Sequence, residues 1–381
     1  AMSSGITETW LNLFGKPSSV RRLGEDGVTL MSGHEYLYDG AGRTVQETDA
    51  RMTITRYRYD AFDRVIETQL SDAKVERNYA EHSPDELPVS ISVEGKLLGT
   101  QTFDGLDHRV ASVTGGRMST FTYEPGQMQP ASVLTPGKQS IQYQYLLVLG
   151  EDPVKRMLPD SVTADYTYDF QNARLMACEE QGLKLSRQYF STGEVKSEAR
   201  ESGEDEPLEM SFSYTLEGRL LGYTDVLKQI QEHAYDDAGR LERTVLGTTT
   251  ATFGYDGLGR IKTIVTEDQA SQQHVGITLD YDAFGREVTR TFDLNGTERT
   301  LTQVYDEVDA LVQKTLREGS VVIRDEHYGY DPRGRLETYT CSGTELPTDP
   351  YGQVITDQTF IYDALDNLLR VITGKNVATY Y

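Results

Sequence analysis

The chain has 381 residues, a hydrophobic fraction of 37% and a formal net charge of -23, from 37 Lys plus Arg against 60 Asp plus Glu. Acidity spread along the whole length repels phosphate backbones and argues against a nucleic-acid partner. No run of 18 apolar residues exists for a membrane-spanning helix, and the two cysteines, Cys178 and Cys341, could close at most one disulfide.

The N-terminus, "AMSSGITETW", lacks the basic and apolar regions of a secretory signal, and residues 1–2 read as a cloning remnant. Residues 3–381 read as a single repeat array, because one pattern recurs: an aromatic residue, Asp, two variable positions, then Gly, Asp or Asn. In chain order the copies are Tyr38-Asp39 with Gly42, Tyr59-Asp60 with Asp63, Phe103-Asp104 with Asp107, Tyr168-Asp169 with Asn172, and Tyr235-Asp236 with Gly239. Then come Tyr255-Asp256 with Gly259, Tyr281-Asp282 with Gly285, Tyr305-Asp306 with Asp309, Tyr330-Asp331 with Gly334, and Tyr362-Asp363 with Asp366. Decayed copies begin at Tyr123, Tyr189 and Tyr214, so from Tyr168 to Tyr330 neighbouring starts lie 20 to 26 residues apart.

A unit of about two dozen residues fits two strands and two turns. Gly, Asp and Asn tolerate positive φ best, so the fifth position predicts a type I turn closed by one left-handed residue and a bulge. The Asp is then the first turn residue, accepting a hydrogen bond from the backbone two residues on. Segments after the turn, such as "RVIETQL", "RIKTIVT" and "RLETYTC", are rich in β-branched residues and read as strands. Their faces mix Thr, Ser and charges with aliphatics, which predicts an all-β antiparallel sheet with only partly apolar faces.

The recurring Tyr-Asp-x-x-Gly-Arg, as in "YDGAGR", "YDDAGR", "YDGLGR", "YDAFGR" and "YDPRGR", resembles the YD repeat of the RHS family, from about Tyr38 to Tyr381. The texture is similar to that of large bacterial RHS proteins such as those of pseudomonads, among them polymorphic toxins and the B and C components of insecticidal toxin complexes. The resemblance implies a continuous antiparallel sheet wound as a spiral shell, secreted or at the cell surface, and built without a cofactor. It implies a non-enzymatic role, encapsulating or presenting a C-terminal toxin, with that toxin and other toxin-complex or secretion components as partners. The family's core-closing segment, with its autoproteolytic acids, is not found: "DPRG" at Asp331 belongs to a repeat and "DPYG" at Asp349 to a long loop. The chain therefore reads as a piece of a longer protein.

Other chemistry is weaker. A carboxylate pair for glycoside hydrolysis would stand out from the repeat, and none does. Calcium turns need a nine-residue period, and the six histidines lack metal-ligand spacing. Cys178 and Cys341 read as buried inert thiols. The Arg after each turn is expected to pair with the turn Asp, and the Tyr rings to pack on equivalent rings of adjacent repeats. Binding of glycans along the Tyr rows is the alternative function. The acidic stretch "ESGEDEPLE" at residues 201–209 reads as an exposed hairpin tip.

Overall fold

The computed structural model describes residues 5–203 and 206–380. The N-terminal remnant and the tip of the acidic stretch at 201–209 lie outside the described residues. Within them, 33 strands form one antiparallel sheet, and helix is confined to two 3-10 turns, Leu147–Leu149 and Pro159–Ser161. The all-β expectation holds.

Chain contacts divide the molecule into two units, one of residues 1–77, 93–95 and 251–381 and the other of residues 78–92 and 96–250. In the first, Leu30–Tyr38, Thr44–Thr48, Ile54–Tyr59 and Val65–Gln69 pair in succession. So do Gln273–Tyr281, Glu287–Leu294, Thr297–Tyr305, Leu311–Glu318 and Val321–Tyr330. In the second unit, Leu175–Glu180, Leu183–Tyr189, Val195–Ser202 and Leu208–Tyr214 follow the same rule.

Each strand thus hydrogen-bonds the next in sequence, and the chain reverses at every turn. Successive turns therefore alternate between opposite ends of the strands. In each unit all the aromatic-Asp turns fall at one end, here termed the motif edge; the other end is the far edge. The pairing register shifts by one residue at the aromatic position, as at Arg58/Tyr59, Asp280/Tyr281 and Val304/Tyr305. That shift is the bulge demanded by a left-handed fifth residue.

Burial is shallow. Val65–Gln69 and Pro88–Val93 are half-buried at every position, and buried apolar side chains such as Val75, Ala164, Leu279 and Ile323 are scattered among the strands. Among the described residues no large side chain is fully enclosed. Cohesion must come largely from the backbone ladder and the turns rather than from a dry core.

One sequence expectation needs correction, and the long loop after Gly343 holds a turn that the sequence reading did not assign. Asn172 does not take the positive φ; Ala173 does, at 57°. The turn after Tyr168 is one residue longer, so the Asp169 N–H reaches the Arg174 carbonyl rather than that of the fourth residue on. "DPYG" is itself a turn of the repeat type, in which Asp349 accepts from the N–H groups of Tyr351 and Gln353 and Gly352 has φ 80°.

Candidate functional site

The repeated turn is the candidate site, and its geometry starts from the Asp. In "YDAFGR", Asp282 Oδ1 accepts from the N–H groups of Phe284 (2.9 Å) and Arg286 (3.0 Å), while Oδ2 accepts from Arg286 Nε at 2.6 Å. Asp39, Asp60, Asp236, Asp256 and Asp331 repeat all three bonds. Where the sixth residue is not Arg, a substitute appears: His108 Nδ1 lies 3.0 Å from Asp104, and Asn367 donates to Asp363. Asp306 is the exception, because Ala310 occupies that place.

At the fifth position, Gly42, Gly239, Gly259, Gly285 and Gly334 have φ between 78° and 82°, and Asp63, Asp107, Asp309 and Asp366 have φ between 66° and 69°. The Asp versions gain a partner that Gly lacks. Arg43 reaches forward to Asp63 (2.8 Å), Arg286 to Asp309 (2.7 Å) and Arg335 to Asp366 (3.0 Å). Gly285→Asp should therefore leave stability within about 0.5 kcal/mol of wild type, with Arg260 as its donor, whereas Gly285→Val should lower it by about 1–2 kcal/mol in urea unfolding.

The aromatic residue does something the sequence did not announce. Tyr59 donates its hydroxyl to the carbonyl of Thr44 at 2.7 Å, Tyr281 to Ile261 at 2.6 Å, Tyr305 to Glu287 at 2.9 Å, Tyr330 to Leu311 at 2.8 Å and Tyr362 to Leu336 at 2.9 Å. In the second unit, Tyr168, Tyr189 and Tyr235 do the same to Pro153, Leu175 and Leu220. The acceptor is the residue just past the preceding turn, so each phenol latches its repeat to the one before. Tyr38 reaches Pro17, which reveals "NLFGKP" as a further turn of this kind. Phe103 and Tyr255 end the strands Lys96–Phe103 and Thr249–Tyr255, and Phe103 has no hydroxyl to donate.

Where Arg follows the turn, the next ring packs on that arginine, whereas Tyr214 of a decayed copy packs edge-on against Phe190 at 6.0 Å. The guanidinium of Arg43 lies 4.9 Å from the Tyr59 centroid, that of Arg260 4.3 Å from Tyr281, that of Arg286 4.9 Å from Tyr305 and that of Arg335 5.1 Å from Tyr362. His108 substitutes again, stacking on Tyr123 at 4.4 Å. Each Arg therefore holds its own Asp, covers the next Tyr and, where the next fifth residue is Asp, binds that too.

Electrostatics follow the contacts. The backbone N–H and guanidinium of Arg43 hold Asp39 below the ordinary aspartate value of 3.8, as those of Arg240 do for Asp236. At Asp60 and Asp256 desolvation pushes upward, and the same kinds of bond outweigh it. A carboxyl with a depressed folded pKa contributes stability that is present above its unfolded value and lost as pH falls through the folded one. The thermal midpoint should thus fall as pH drops from about 5 to about 3, and fall less steeply in the Asp39→Asn, Asp236→Asn double variant.

Within the first unit, motif-edge turns of the later segment meet the far edge of the earlier one. The Gly5 N–H donates to the Ala283 carbonyl at 2.8 Å, and the Phe284 ring lies so close to Gly5 that any side chain there would collide with it. Arg22 also lies over the Phe284 ring, at 4.1 Å, and binds Asp309 at 2.5 Å. Arg51, on the far-edge turn at 49–53, binds Asp306 at 2.7 Å and lies 5.3 Å from the Tyr330 centroid. Arg51 thus supplies, from a distant part of the chain, the arginine that Ala310 lacks. Arg333 and Arg335 close the seam on Asp72 at 3.4 and 3.3 Å.

Among the described residues no three His, Cys, Asp or Glu side chains converge as a metal site. Cys341 is buried, but Cys178 is only half-buried, and burial pushes its thiol pKa up.

Residues 38–74, which hold two of these turns, match the family model described as RHS Repeat. Over those residues the chain is similar to an RHS repeat. Its fold is that of the solved structures "Crystal Structure of TcdB2-TccC3" and "Crystal Structure of TcdB2-TccC3-Cdc42", with TM-scores of 0.63 and 0.56. Identity is 15% in both, over 97% and 96% of this chain. The chain spans 21% of the length of either. No curated protein sequence matches it. No helix among the described residues is long and apolar enough to cross a membrane.

Proposed function

We propose that this chain is a non-enzymatic wall: a single RHS array over residues 3–381 that forms part of a hollow β-shell around, or presenting, the C-terminal toxin of its parent polypeptide. The observation that carries the reading is the latch. The Asp, Arg and Tyr that recur most are engaged in joining one repeat to the next, as in Asp282–Arg286–Tyr305. Side chains committed to such bonds are poor candidates for general acids or for stacking sugars, so neither a glycosidase nor a glycan-binding role gains support from them. Half-buried, mixed-polarity faces suit a surface that holds an unfolded passenger without a tight dry interface. The fold shared with toxin-complex structures supports the same reading, with other complex or secretion components as partners and a secreted or cell-surface location.

The test uses the parent polypeptide. After cleavage between the repeat region and its C-terminal segment, non-denaturing chromatography should keep the two together, and only denaturation should separate them. Free elution of the C-terminal segment would overturn encapsulation. For this chain alone, X-ray scattering should give a radius of gyration above the roughly 21 Å of a compact globule of this length.

A further inference from the structure

Seam formation in the first unit follows a rule at the fourth turn position. Turns within the seam have that residue covered: Phe284 is contacted by both Gly5 and Arg22, and Arg333 is pinned on Asp72. Phe62 occupies the same position in the near-identical turn "YDAFDR" and is 57% exposed. Phe14, the corresponding residue of "NLFGKP", is 58% exposed. Beside Phe62, the Asp63 side chain is 72% exposed although it accepts from Arg43. The Phe62 ring carries its own turn's Arg64 at 5.2 Å, as Phe284 carries Arg286 at 5.4 Å, and its exposed remainder beside a carboxylate offers the two kinds of group, ring and Asp, that Arg22 uses on Phe284 and on Asp309 of the following turn.

The far edge carries the complementary groups. Lys375, on the hairpin turn before Asn376–Thr379, and Arg317, close to the turn after Leu311–Glu318, are both exposed. Neither faces a motif-edge turn in any ion pair the structure contains among the described residues, unlike Arg22 and Arg51.

We infer that the Phe14–Phe62 stretch of the motif edge docks the far edge of a second copy of this chain, extending the seam from one molecule to the next. The occupant follows from continuity with the seam already present: both surfaces are on this chain, and one segment of each already binds the other. Because the two surfaces differ, the contact is head-to-tail and does not close on itself, so association grows with concentration instead of stopping at a dimer. Ion pairs at its rim make it weaker at high salt.

Light scattering coupled to size exclusion, from micromolar to millimolar protein, tests this. The wild-type mass should rise from 42.8 kDa to at least twofold, and Phe14→Asp with Phe62→Asp should hold it at the monomer with an unchanged circular dichroism spectrum. Phe62→Ala, milder on folding, should shift the onset to several-fold higher concentration. Wild type added to the double variant should yield small capped assemblies, since that variant keeps its far edge. A wild type that remains monomeric throughout, or association unaffected by the substitutions, overturns the inference.

Discussion

Replacing Tyr281, Tyr305 and Tyr330 together by Phe lowers the unfolding free energy by about 3 kcal/mol, about 1 kcal/mol for each carbonyl deprived of its phenol. The rings remain, so packing under Arg260 and Arg286 is preserved, and the change isolates the hydroxyl. Urea unfolding should show a lower midpoint at unchanged slope, since the surface exposed on unfolding is the same. Tyr351, 90% exposed, provides the control: Tyr351→Phe leaves the midpoint in place. A triple variant as stable as wild type would reduce the latch to a bystander of the sheet.

Asp331 is the second strong case, because its carboxylate is buried and holds three donors at once: the N–H groups of Arg333 and Arg335 and the Arg335 guanidinium. Asp331→Ala should lower stability by about 3 kcal/mol, through two orphaned backbone donors and a broken charge-assisted bond. Asp331→Asn keeps an oxygen for the backbone and should lower it by only about 1 kcal/mol. Arg335 retains Asp366 and Asp72 in both variants, so the difference reports the cap rather than a stranded cation. Equal losses for Ala and Asn would assign the effect to the ion pair instead.

Much of this was legible in the residues, and the limits have physical causes. A turn is a local object: Asp at the second position of the pattern and Gly or Asp at its fifth need only each other's backbone, so "YDAFGR" and "YDAFDR" could be superposed on paper. The extra residue after Asp169 escaped because Asn172 has the right chemistry one place too early, and the hydrogen bonds follow the backbone to Ala173. Far-edge turns such as Asp49 to Thr53 and Asp225 to Gln229 use the same cap without the preceding Tyr, so a search keyed on the aromatic passes over them. Tyr latches end on carbonyls, which every residue has; the one available signal was the excess of 24 Tyr over 11 Phe. The seam was out of reach altogether, since Arg51 and Asp306 are joined by nothing in their local sequence. Ala310 looked like decay and marks the place where a distant arginine enters.

The latches also have a direction in time. Tyr305 reaches back to residue 287 and Arg286 waits only for Tyr305 to arrive. A ribosome or an export channel releasing the chain from its N-terminus would complete each joint as soon as roughly twenty more residues emerged, with every finished joint independent of what is still to come. Only the seam breaks that order, because Gly5, Arg22 and Arg51 must wait for Ala283, Asp309 and Asp306 before their bonds can form.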